Sequence, residues 1–223
     1  MVDTSNSRIS ITQLIFIPSV ITLAVTLLRL VGELQNWPSV LFNRTAGGGG
    51  SIIGITWLAL VFGVYFALKL TRAGEAPSSA WRVIGFALLG LVVTVAGGFL
   101  GFGLQTEFPG KIVIGLVLIV AGALIPFLGW KALSKVLLAY GYAARIPVLI
   151  VMYFAMRGDW KTHYDAIPPP PFPQDLPFWE KFIQLAVVPQ MIMWIAFTII
   201  MGSLFGGVAI AVARRKKPAV QPA

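Results

Sequence analysis

The chain has 223 residues, 57% of them hydrophobic and 11% charged, with a mean hydropathy of +0.86 and a formal net charge of +9. Soluble domains carry roughly 25% charged residues, so a soluble globule is excluded, and the basic residues form no single surface interleaved with aromatics, so nucleic acid is not an expected partner. The absence of cysteine removes disulfides, thiolate metal sites, iron–sulfur clusters and a cysteine nucleophile together.

Six segments approach or exceed the ~20 apolar residues a helix needs to cross about 30 Å of hydrocarbon. They lie at about 11–34, 52–71, 81–104, 112–131, 134–156 and 181–213. The expected fold is all-α: a polytopic integral membrane bundle of about six helices, with one membrane domain over 1–223.

The first segment follows the polar stretch Met1–Ser10. Its apolar run is too long for a cleaved leader, and Leu30-Val31-Gly32-Glu33-Leu34 makes a poor cleavage site, so an uncleaved span is expected. Arg29 and Glu33, four residues apart, share one face near the end of that span; a local pair and a snorkelling side chain account for them. Asn36-Trp37-Pro38 and the run Gly47-Gly48-Gly49-Gly50 then break the chain. The latter, with Ser51, reads equally as a natural flexible loop or an introduced linker, and Asn43-Arg44-Thr45 beside it matches a glycosylation acceptor.

The second segment ends at Gly74-Glu75-Ala76-Pro77-Ser78-Ser79 and the third at Phe108-Pro109-Gly110. Gly97 and Gly101 in the third segment, Gly115 and Gly122 in the fourth, and Gly202 and Gly206 in the last recur at intervals of four or seven. Such sets put small residues on one helix face, where lipid offers no hydrophobic drive for association. The spacing favours packing within the bundle over a face for a homo-oligomer. Only Gly129–Lys135 separates the fourth and fifth segments; a single helix over 112–156, kinked at Pro126, would run about 67 Å, so a tight hairpin is expected.

The fifth segment holds the most informative residue, Arg145, about ten residues from either expected end and so about 15 Å from water. A guanidinium does not lose its charge, and holding it at that depth costs from about 2.5 to well over 10 kcal/mol. Tyr142, three residues earlier, is the expected partner, together with the Ala143 carbonyl, which loses its ladder donor to Pro147. Two roles are open to it: a structural anchor for the fifth helix, or a cationic anchor for an anionic lipid headgroup, carboxylate or phosphate.

The loop 157–180 carries Pro168-Pro169-Pro170-Pro171-Phe172-Pro173, which favours an extended polyproline strap, a spacer or a docking surface. It also carries His163, flanked by Asp159 and Asp165, a candidate metal or proton-transfer group. A zinc site normally needs three or four protein ligands, so a solvated loop histidine is the plainer reading. In the last segment Trp194 is expected to pack or touch lipid. The tail Arg214-Arg215-Lys216-Lys217 is expected to meet anionic headgroups, at about 1 kcal/mol per charge.

With six spans, ten of the 17 Lys and Arg lie on the side of the two termini, five lie on the other, and Arg29 and Arg145 lie inside spans. The positive-inside rule then makes both termini cytoplasmic, in the plasma (inner) membrane for a bacterial chain. No acid falls near a span centre, which argues against a proton-coupled carrier or an acid-lined cation channel. No cofactor is identifiable. The favoured function is a non-enzymatic membrane protein acting through lipid or protein contacts, as a subunit or accessory component of a membrane complex. A small transporter or channel for an anionic or amphiphilic solute using Arg145 comes second, and an interfacial enzyme or metal site around His163 third.

Overall fold

The computed structural model describes residues 10–48, 51–104, 106–169 and 172–215, and every regular element among them is helical. Five helices are long and apolar enough to cross a membrane: α1 (Ile11–Leu34), α3 (Ala80–Gly103), α4 (Lys111–Gly129), α5 (Lys131–Gly158) and α6 (Phe178–Arg215). Between the first two lies α2 (Leu58–Arg72), which has 15 residues. At 1.5 Å per residue it reaches about 22 Å, short of the hydrocarbon thickness.

The second expected segment, 52–71, is therefore helical only from Leu58. The shortfall has a backbone cause that hydropathy does not register. The amides of Ile52 and Ile53 donate to the carbonyls of Val40 and Leu41, at 3.3 and 3.1 Å, which ties this stretch to the preceding loop. Ser51 completes the tie, since its hydroxyl donates to the Leu41 carbonyl and accepts from the Asn43 amide.

One end of the bundle, the upper end here, gathers the C-terminus of α1, the loop before α2 and the segment after α5, because Glu33 bonds to His163 and Arg29 to the Gly48 carbonyl. The lower end gathers the α2–α3 turn, the α4–α5 junction and the end of α6. There Trp130 Nε1 donates to the Glu75 carbonyl, and Arg214 donates to the carbonyls of Pro77 and Ser78. Trp130, with φ −155° and ψ 89°, separates α4 from α5, so the two do not form a single bent helix.

Close helix packing rests on the glycines, and on both sides of each contact they belong to this chain. A Cβ on Gly97 would lie 2.7 Å from the Gly115 carbonyl oxygen, and one on Gly115 2.6 Å from the Gly101 Cα, so α3 and α4 touch backbone to backbone. Gly122 meets Gly90 and Thr94 across the same seam. Gly202 and Gly206 in α6 face Leu137, Leu133 and Ala67, and Gly63 of α2 lies against Gly202. The core is closely packed: Phe66, Leu133, Leu137, Tyr140 and Ile199 are at most 2% exposed.

Candidate functional site

The site begins in α1. Pro18, Thr22, Thr26, Arg29 and Glu33 are buried, while Phe16, Ile17, Val20, Leu27 and Leu28 are exposed, so the face turned to the protein is the polar one. The spacing of four, four, three and four residues keeps these side chains on a single helical stripe. Thr22 donates to the Pro18 carbonyl and lies 2.7 Å from the Tyr140 hydroxyl, and Thr26 donates to the Thr22 carbonyl. Each hydroxyl is thus satisfied where no water is at hand.

Further up the stripe, Arg29 Nε donates to Glu33 Oε1 at 2.8 Å, and its Nη2 donates to the carbonyls of Asn43 and Gly48. Glu33 is fully buried; its Oε2 accepts from the His163 amide at 2.8 Å, and its Oε1 lies 2.6 Å from His163 Nδ1. An Arg–Glu–His network spanning 130 residues thus closes the upper end. Gly48, at φ 68°, is part of it, because a Cβ there would meet His163 Cδ2 at 2.8 Å. That glycine is built into the site.

The loop histidine is therefore an inward-facing group, its side chain 14% exposed. Burial pushes its pKa below the ordinary value; the Glu33 hydrogen bond opposes this and the nearby Arg29 charge adds to it. Neutral imidazole is the resting form near pH 7. Tyr164 beside it is buried too, its hydroxyl donating to the Thr26 carbonyl at 3.2 Å, and burial pushes its phenol upward. Asp165 turns away from the imidazole. Its carboxylate accepts from the amides of Lys161 and Thr162 and from the Thr162 hydroxyl, which shapes the turn. Asp159 pairs with Lys161 in the open. No three side chains of metal-ligating type converge among the described residues; His163 meets Glu33 in place of the two aspartates.

Below this lid lies a cavity of about 250 Å³, walled by Arg29, His163 and Tyr164 above and by Arg145, Gln190 and Trp194 at the side. Ile55 and Thr56 also line it, so it occupies the height that α2 does not fill. Arg145, 5% exposed, donates from Nη1 to Gln190 Oε1 at 3.2 Å, and its guanidinium carbon stands 4.5 Å from the centroid of the Trp194 ring. The expected neighbour Tyr142 does not take part; it is 40% exposed on the outside of the bundle.

Gln190 and Trp194 reach the cavity because α6 is not a regular α-helix there. Two π-turns, Ile183–Val187 and Pro189–Met193, precede Trp194. Proline lacks the amide that would continue the ladder, and π-turns rotate the residues beyond them and recur at functional sites. Sequence reasoning passes over Gln190 and assigns Trp194 to packing or lipid contact. The visible signal is an amide side chain directly after a proline in an apolar run.

Electrostatically the two arginines differ. Arg29 has a carboxylate at 2.8 Å, whereas none of the ion pairs among the described residues includes Arg145. A neutral amide and an indole face solvate the Arg145 charge without cancelling it. The cavity is thus cationic and partly open, an arrangement that suits a carboxylate or phosphate.

Of the expected headgroup contacts, Arg214 is bound to the α2–α3 turn, Arg215 stands over the Trp81 ring, and Lys216 and Lys217 lie outside the described residues. The strap residue Pro168 borders the cavity. No protein-family model matches this sequence, and neither a curated protein nor a solved structure resembles it closely enough to count as a match.

Proposed function

We propose that this protein crosses the membrane six times with both termini cytoplasmic, the short α2 completing its crossing through the non-helical stretch 52–57 before it, and that it captures an anionic ligand in the Arg145 cavity from the outer half of the bilayer. One observation carries the reading: Arg145, deeply buried, faces an open cavity with neutral partners only. Intramembrane charge is a functional hypothesis by default, and a ligand carboxylate or phosphate supplies the counter-charge that the chain does not.

The closely packed core of Phe66, Leu137, Tyr140 and Ile199 supports an outward-opening binding site and gives no support to a continuous pore. Gly97, Gly115, Gly122, Gly202 and Gly206 meet other helices of the same chain, so these faces lend no support to the complex-subunit reading.

The test is native mass spectrometry of protein purified in mild detergent. Wild type is expected to retain an anionic species that Arg145→Gln releases, with affinity reduced about ten- to hundredfold, the equivalent of about 1.5–3 kcal/mol for a charge-assisted hydrogen bond. The same anionic complement on both proteins would remove the proposal.

A further inference from the structure

A second cavity adjoins the first. It holds about 400 Å³ between α3, α4 and α6, and its walls include Leu91, Val95, Gly98, Phe197 and Met201. The hydroxyl of Thr94, which also lines it, is turned toward the Ile119 carbonyl, at 3.5 Å. The space is accordingly apolar.

Pro189 and Trp194 line both cavities. The indole that carries the Arg145 cation on its face is thus also a wall of the apolar groove, and the divide between a charged space and a greasy one is a single side chain thick. The divide stands where the π-turns reshape α6.

From this shared wall we infer that the ligand is a single-chain anionic amphiphile, with its carboxylate or phosphate head at Arg145 and its acyl chain passing Trp194 into the groove between α3, α4 and α6. The inference rests on the proposed anion site and adds the tail. One groove accommodates one chain, so a fatty carboxylate or a lysophosphatidate fits the chemistry and a two-chain phospholipid leaves a tail outside. Binding selectivity comes from shape, because a chain leaving bilayer lipid for the groove gains little from hydrophobic transfer.

Gly98 provides a clean probe. It lines the groove, and a Cβ there meets nothing within 4 Å, so Gly98→Phe fills the space without moving the α3–α4 seam. The experiment uses full-length protein in nanodiscs, a C16 fatty acid and a lysophosphatidate each bearing a mid-chain diazirine, and peptide mapping of the adducts.

For wild type, adducts are expected on the 91–98 and 193–201 segments, reduced at least tenfold by Arg145→Gln and by Gly98→Phe. Butyrate and inorganic phosphate, which lack the tail, are expected to bind wild type and Gly98→Phe with equal affinity by titration, and to protect wild type against labelling. The stronger of the two labelled probes identifies the head as carboxylate or phosphate.

Groove labelling undiminished in Arg145→Gln identifies bulk lipid and overturns the inference. Protection by the short anions at Arg145, with adducts scattered over all lipid-facing helices, overturns the tail assignment while the anion site stands. Absence of any Arg145-dependent binding, short or long, overturns both.

Discussion

His163 and Glu33 meet across 130 residues of chain, and what holds them is the unfavourable alternative. Parting them would leave the buried Glu33 carboxylate short of two hydrogen bonds, from the His163 amide and from its ring, each worth about 1.5–3 kcal/mol for a bond to a charged group. The imidazole is the titratable member outside the spans, and Glu33, Arg29, Asp165 and Tyr164 are the ionisable groups around it. Its folded pKa is depressed, so between that value and the ordinary 6.5 the unfolded chain binds more protons than the folded one. The corresponding stability is complete above pH 6.5 and is lost as the pH falls toward the folded value. Thermal melts in detergent should show the midpoint dropping on acidification from about pH 7.5 to about pH 5, with that slope much reduced in His163→Gln; equal slopes in the two proteins would contradict the assignment. At this scale the sequence disclosed Arg145 because an unneutralisable charge in an apolar run is visible without a fold. The partners were not visible. Successive helical residues turn by about 100°, and Arg145 lies at one edge of the arc formed by Gly141, Ala144, Val148 and Met152, which carries Tyr142 past that edge toward lipid.

Helix lengths and breaks mostly reflect apolar runs and turn residues. Asn36, at φ 56°, stands just after α1, and Asp159, at φ 50°, caps α5, both in the left-handed conformation that stops helices. The short α2 was hidden because hydropathy measures transfer from water and is blind to where the amides of Ile52 and Ile53 bond. The polar stripe of α1 was legible, since the spacing of Thr22, Thr26, Arg29 and Glu33 is written in the sequence, but its meaning required knowing that the buried face is the polar one. Glycine spacing marked faces for close approach without naming what they meet. Gly115→Val should separate α3 from α4 and destabilise the protein by about 1–3 kcal/mol, the range for overpacking, whereas Gly98→Val, one turn from the same seam but facing open space, should leave the stability within about 0.5 kcal/mol of wild type. Matched losses in the thermal melts of the two variants would mean that the seam does not depend on backbone contact.

Across the whole molecule, the helix ends alternate between two poles joined by the Glu33–His163 network above and the Trp130–Glu75 and Arg214–Pro77 bonds below. The absence of native cysteine makes the proposed sidedness directly measurable. Ser39→Cys, at the upper pole, should react with an impermeant maleimide on intact cells, and Ala76→Cys, at the lower pole, only after permeabilisation; both positions are exposed. Reversed labelling would invert the topology and turn the cavity toward the cytoplasm.

The span of the Glu33–His163 bond also has a consequence for biogenesis. A ribosome adding about 5–20 residues per second needs roughly 7 to 26 s to make the 130 residues between the two partners. During that interval α1 must enter the membrane carrying a carboxylate whose histidine has not been synthesised. Arg29, one turn away at 2.8 Å, is synthesised before Glu33, so the carboxylate has a counter-charge within its own helix throughout that interval and keeps it in the folded protein. The arginine is thus both the first counter-charge available to Glu33 and part of the roof of the cavity.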